Sequence, residues 1–257
     1  MSSSKDKKSP VADKQLRHAG QYLDDKIEII NLKRLRNFFM FLVIFAVALY
    51  EVLHAYFNLP LQPMLAFAAM IAMGVWVLCE DYKLKKEAKN YLQGSIGEKT
   101  VGEILDNLRE KDLIVFHDIP MRIGEKTFNI DHVIVSKQGI YAIETKNISK
   151  NEGNPEITTD GKVIKIRGKA SDNSAIIEAS RHAKILFNEL NENTGKRFYV
   201  KPVLVYPNWL VKDYVGDDLW VLNPKRIGIH IKLQRETLND VDINIVKCCL
   251  SNLIKKQ

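Results

Sequence analysis

Cysteine is scarce in this chain of 257 residues: Cys79, Cys248 and Cys249 only. That excludes a disulfide framework, and no spacing among the three fits a zinc site. All three read as reduced packing residues of a cytosol-facing protein. Also missing are an internal repeat, a glycine-rich loop able to cradle phosphates, and a Ser-His-Asp arrangement. The six histidines do not cluster in the sequence. His132 reads as a packed or surface histidine, and His182 as a residue that meets a phosphate or stays solvated. Trp209 and Trp220 read as core or loop packing rather than base-stacking platforms.

A large charge excess is absent too. The formal net charge is +7 with pI near 9.1, and from residue 94 onward 25 Lys and Arg face 22 Asp and Glu. A basic balance favours nucleic acid or an anionic membrane surface, but a surplus this small decides neither. Lys162, Lys165, Arg167, Lys169, Arg181 and Lys184 form the densest basic segment. It either tracks a phosphate backbone or is a solvated helix and strand edge.

Long apolar runs are present. Residues 38–57 contain one formal charge, Glu51, and residues 61–79 contain none. Each is long enough to cross a hydrocarbon core of roughly 30 Å. The short uncharged connection through Pro60 predicts a helical hairpin; a buried soluble hairpin is the alternative. Lys33, Arg34 and Arg36 precede the first run, and Lys83, Lys85, Lys86 and Lys89 follow the second. The positive-inside rule then places both termini in the cytoplasm, at the cell's inner membrane. The first run starts late and lacks a small-residue cleavage site, so no signal peptide is expected. Glu51 and His54 lie near a helix end and read as interfacial or helix-pairing groups.

The expected organisation is a basic cytoplasmic segment (1–37), a transmembrane hairpin (38–79), a charged stalk (80–93) and a C-terminal domain (94–257). Residues 1–20 are polar and expected to be disordered, and 21–37 to form a short basic amphipathic helix. In the last domain, Val101, Ile104, Leu105 and Leu108 mark a helix from Gly97. Strands are expected over 113–119, 162–166, 197–206 and 219–222, with a loop over 151–160. Helices are expected over 172–190 and 240–254.

The most informative stretch is a hairpin. Asn129-Ile130-Asp131-His132-Val133-Ile134-Val135 and Gly139-Ile140-Tyr141-Ala142-Ile143-Glu144-Thr145-Lys146 both read as strands, with Lys137-Gln138 as the loop. Pairing Ser136 with Gly139 sets Asp131 opposite Glu144. Directly opposed residues share a face, with Cβ atoms roughly 4.5–5.5 Å apart. Lys146, two residues on, joins that face. Two such carboxylates repel unless a cation lies between them, and oxygen-ligated Mg²⁺ is the natural candidate. Lysine beside it can orient or deprotonate a water and offset charge at phosphorus. A solvated strand face is the plainer reading of the same residues.

This hairpin resembles the nuclease-related domain (NERD) family, within the wider PD-(D/E)xK, restriction-endonuclease-like group. Gly94-Ser95-Ile96-Gly97-Glu98 is similar to the Gly-x-x-Gly-Glu that opens the family's first helix, which makes Glu98 a third acidic group near the metal. The resemblance covers roughly 94–207. It implies an α/β fold: a restriction-endonuclease-like core with a mixed central sheet flanked by helices, here preceded by two transmembrane helices. It also implies Mg²⁺-dependent phosphodiester hydrolysis, with Asp131, Glu144 and Glu98 as metal ligands and Lys146 orienting water. Mn²⁺ is expected to substitute for Mg²⁺. The expected partners are nucleic acid, DNA before RNA, and the lipid bilayer. One departure stands out: where the family carries Asn-Pro-x-x-Gln, this chain has Ser174-Ala175-Ile176-Ile177-Glu178. Ionised glutamate only accepts hydrogen bonds, which leaves a membrane-tethered scaffold with little catalysis as the rival expectation.

Overall fold

The structure, a computed structural model, describes residues 17–57, 63–108, 113–149, 156–171 and 173–255. It divides into two compact units, residues 22–93 and residues 94–257 together with the N-terminal residues up to 21.

In the first unit, helix α1 runs unbroken over Gln21–Tyr56. No Gly or Pro interrupts it, so the expected amphipathic segment and the first apolar run fuse into one helix. Among the described residues, its Gln21–His54 portion is the one helix long and apolar enough to cross a membrane. Phe38, Phe39, Phe45 and Leu49 along it are exposed. Helix α2, Pro63–Asp106, starts on a proline, the residue best tolerated in a first turn. It takes in the second apolar run from Pro63 on, the stalk and the helix expected from Gly97; residues 58–62 lie outside those described. Arg34 Nε donates to Asp81 Oδ1 at 2.7 Å, and Lys85 pairs with the same carboxylate at 2.9 Å. Cys79 is exposed, which corrects its assignment as a packing residue.

The second unit is mixed α/β. Its strands are β1 (Ile114–Ile123), β2 (Lys126–Ser136), β3 (Gly139–Thr145), β4 (Glu156–Thr159), β5 (Ile164–Ile166), β6 (Lys169–Ala170), β7 (Val200–Val205), β8 (Leu210–Val211), β9 (Tyr214–Val215) and β10 (Trp220–Leu222). Its further helices are α3 (Ser174–Thr194), α4 (Ile227–Lys232) and α5 (Asp240–Lys255). Six strands form the main sheet in the order β1-β2-β3-β7-β10-β9. The β1-β2-β3 pairs are antiparallel, while β7 runs parallel to both β3 and β10. The expected mixed sheet is present. A second sheet, β6-β5-β4-β8, was not expected; β4 lies where a loop was read.

Strand alternation sorts the apolar side chains onto two faces. Val133, Val135, Ile140 and Ala142 pack under Ala183, Leu186 and Leu190 of α3 and Val246 and Leu250 of α5. Ile134, Tyr141 and Ile143 face the other way, against Val101 and Leu105 of α2 and Ile227 and Ile231 of α4. Trp209 and Trp220 are both buried, as packing residues should be.

Three readings are corrected here. His117 and His132 are cross-strand partners, buried, with their Nδ1 atoms 2.9 Å apart, so two histidines do meet. Cys248 is exposed and so is not a packing residue, whereas Cys249 is half-buried and packs against the core, as expected. Residues 17–20 are ordered against this unit rather than disordered. Arg17 pairs with Asp118 at 3.5 Å, and Ala19 lies against Gly102, where an added Cβ would collide with it. Residues before 17 lie outside those described.

Candidate active site

The β2-β3 register, His132 with Ile143 and Ser136 with Gly139, is the one expected; one step further along it Asp131 faces Glu144. Both carboxylates come to the end of β3, where Lys146 N donates to Val205 O of β7 at 2.9 Å. The parallel β3-β7 pairing therefore fixes the strand end that carries Glu144 and Lys146.

Glu144 is 5 % exposed and uses both oxygens. Lys146 Nζ donates to Oε1 at 2.8 Å, and His182 Nδ1 lies 2.8 Å from Oε2. Burial pushes this carboxyl up, but the His182 hydrogen bond and the Lys146 charge outweigh it and hold Glu144 below the ordinary carboxylate value. Lys146 also donates to Glu178 Oε2 at 2.6 Å. Burial works against its ammonium, yet Glu144 and Glu178 together raise its pKa above lysine's ordinary value. Paired with two carboxylates, the Lys146 ammonium is positioned to orient a water rather than to take its proton.

Asp131 is in the opposite position. Its Oδ2 accepts from Thr145 N at 2.7 Å. Burial first, then the charges of Glu144 and Glu98, push its carboxyl well above the usual range; the Thr145 N–H and Lys146 only partly oppose them. The mutual influence places Glu98 and Glu144 around Asp131. Glu98 lies on α2 and is 9 % exposed. It reaches the strand end because Gly97 lets the helix come close: a Cβ on Gly97 would collide with Cβ of Asn147.

The structure thus brings together all four residues expected from the sequence and adds two. Glu178, read as a substituted position of doubtful use, is an ion-pair partner of Lys146. His182 is buried, not solvated, and stacks on Phe128 with ring centroids 4.8 Å apart. The one signal for either was their spacing, four residues apart on one helical face, which places both on the side of α3 turned to β3.

Among the described residues no group of three or more His, Cys, Asp or Glu side chains is already set around a metal position. The donor chemistry nonetheless fits a hard cation. Asp131, Glu144 and Glu98 present only oxygen, and the half-buried Asp131 stands among like charges that Lys146 only partly offsets. A carboxylate retains lone pairs beyond the bonds Glu144 makes here.

Residues 93–207 match the model of the NERD family, described as nuclease-related domain. All six residues above fall inside the matched stretch. An uncharacterized protein of Bacillus anthracis is 35% identical over 57 residues, 21% of this chain and 26% of its own length. The chain thus matches about a quarter of that relative. No solved structure matches.

Proposed function

We propose that this chain is a membrane-anchored, cytoplasm-facing, Mg²⁺-dependent nuclease that hydrolyses phosphodiester bonds, in DNA before RNA, on a restriction-endonuclease-like core of the PD-(D/E)xK group. The observation that carries it is the convergence of Glu144 and Glu98, both buried, on the half-buried Asp131 carboxyl, with the Lys146 ammonium hydrogen-bonded to Glu144 beside them. Asp131, Glu144 and Glu98 would hold the metal, and Mg²⁺ supplies Lewis-acid polarisation of the phosphodiester. Lys146 places its charge where it can orient the attacking water and offset charge growing on the phosphate oxygens. Glu178 and His182 position the pair: one steadies the ammonium, the other fixes the second oxygen of Glu144.

The test is full-length protein in detergent, given circular and linear DNA and RNA with Mg²⁺, beside Lys146→Ala. Cleavage that chelator stops, and that the Lys146→Ala protein has lost, is the expected result. Binding without cleavage under Mg²⁺ and Mn²⁺ would replace the enzyme with the scaffold. One observation favours that rival: Lys146 is already neutralised by two carboxylates.

Two spans with both termini inside are supported by α1, by the nineteen uncharged residues at 61–79, and by basic residues flanking the hairpin on one side only. A reporter fused after Gln257 should be active only in its cytoplasm-dependent form. Activity restricted to an export-dependent reporter would overturn the orientation.

A further inference from the structure

At the opposite end of β3 from Glu144, a cavity of about 660 Å³ opens between the starts of β3 and β7 and the segment before α5. Ile140 there lies four steps along β3 from Glu144, about 13 Å. The cavity belongs to neither the acidic cluster nor the basic segment at 162–184.

Its lining is unusual in two respects. Arg197, Lys201 and Arg235 line it, with no carboxylate among the described lining residues; Asp217 and Asp218 lie near Lys201 and Tyr199 at its edge. Lys201 donates to the carbonyls of Gly216 and Asp217, but Arg197 and Arg235 have no hydrogen-bond or ion-pair partner among the described residues. The second respect is Tyr141. It is 2 % exposed, packs on Trp220 with ring centroids 5.1 Å apart, and lines the cavity, yet its hydroxyl has no hydrogen-bond partner among the described residues. The hydroxyl opens into the cavity, where it can offer one directional hydrogen bond to an occupant.

The walls are fixed. Thr237 N and Leu238 N both donate to Lys137 O, at 2.8 and 2.9 Å, and Thr237 Oγ1 donates to Gln138 O at 3.1 Å. Gly139, with φ of 143°, leaves the approach to Tyr141 open; a Cβ there would stand 3.9 Å from its hydroxyl. The exposed ring of Tyr199, with the Lys201 ammonium 5.4 Å from its centroid, offers a flat platform at the mouth. Unpaired guanidinium groups suit a phosphate, an aromatic platform suits a base, and an unpaired phenol supplies a directional hydrogen bond. The volume is within the usual range of small-ligand pockets, roughly 300–1,000 Å³.

We infer that this cavity is a binding site for a nucleoside monophosphate, separate from the acidic cluster. The phosphate would sit between Arg197 and Arg235, and the base or sugar would receive the Tyr141 hydroxyl.

The experiment is calorimetric titration of dAMP into the full-length protein in detergent, with chelator present so that no metal-dependent chemistry contributes. Saturable binding with Kd below about 1 mM is expected. Tyr141→Phe, which preserves shape, should weaken it about tenfold, and Arg197→Gln or Arg235→Gln by a similar factor. Inorganic phosphate alone and deoxyadenosine alone should each bind at least about tenfold more weakly than dAMP. Lys146→Ala should bind dAMP like wild type, which separates this site from the nuclease reading whether or not cleavage is found. Competition by a 5′-phosphorylated oligonucleotide would assign the site to strand ends, and its absence to free nucleotide. No saturation by dAMP, or equal affinity in the Tyr141→Phe and arginine variants, overturns the inference.

Discussion

Glu144→Gln should leave a folded protein whose Mg²⁺-dependent cleavage falls by roughly 10²–10³-fold, the range for losing one preorganised charge-stabilising group. The fold should survive for a specific reason. Glutamine keeps the volume, its oxygen still accepts from Lys146, and its amide can donate to an unprotonated His182 Nδ1. Lys146 also retains Glu178 as a counter-ion, so no ammonium is left buried alone. What disappears is negative charge beside Asp131, and with it both the attraction for a cation and part of the pressure on the Asp131 carboxyl. Nucleic-acid affinity should hold or rise, because contacts from Lys and Arg to phosphate are untouched. Turnover in single-cycle cleavage, affinity by filter binding and the thermal midpoint form the set of measurements. Undiminished cleavage with an unchanged melt would remove the proposed mechanism.

The second large effect is expected from a residue with no functional group. Gly97→Ala should destabilise the domain although alanine favours helix by about 1 kcal/mol. The added Cβ meets the Cβ of Asn147, an atom tied to the backbone, so relief requires the helix or the strand end to move. Overpacking of this kind costs about 1–3 kcal/mol, enough to outweigh the propensity gain. The thermal midpoint should fall by a few degrees, at roughly 2–4 °C per kcal/mol for a unit of this size. Because the displaced helix carries Glu98, turnover should fall too, by up to roughly 10²-fold for a 1 Å misplacement. Gly74→Ala is the control: it is also in α2, and nothing lies within 4 Å of its added Cβ. If Gly97→Ala melts and cuts like Gly74→Ala, the close approach has no consequence for the site.

The hairpin was legible because two short-range rules fix it. A period of two residues sets the face, and the turn sets the register, so Asp131, Glu144 and Lys146 could be aligned from 16 residues of sequence. Glu98 was legible only through a resemblance, since nothing local shows that Gly97 lets the helix approach Asn147. His182 was misread because its environment is set elsewhere: α3 packs on β7 and α5, and that docking turns an ordinary helical histidine toward Glu144. The second sheet escaped notice because β6 and β8 have two residues each and β5 three, too few to show alternation. The His117–His132 contact follows from the β1-β2 register, which the two-residue turn at Gly124-Glu125 sets.

The parallel pairing of Thr145 with Val205 also sets an order of events during synthesis. Asp131 and Glu144 can meet as soon as their hairpin leaves the ribosome. The strand that buttresses Lys146 lies 60 residues later, and α3, with Glu178 and His182, docks partly against that strand. At roughly 5–20 residues per second, an interval of about 3–12 s separates the two stages. The apolar helix α1 emerges before either. On the proposed membrane-anchored reading, a nascent chain has time to reach the membrane while its acidic pair still lacks the partners that complete it.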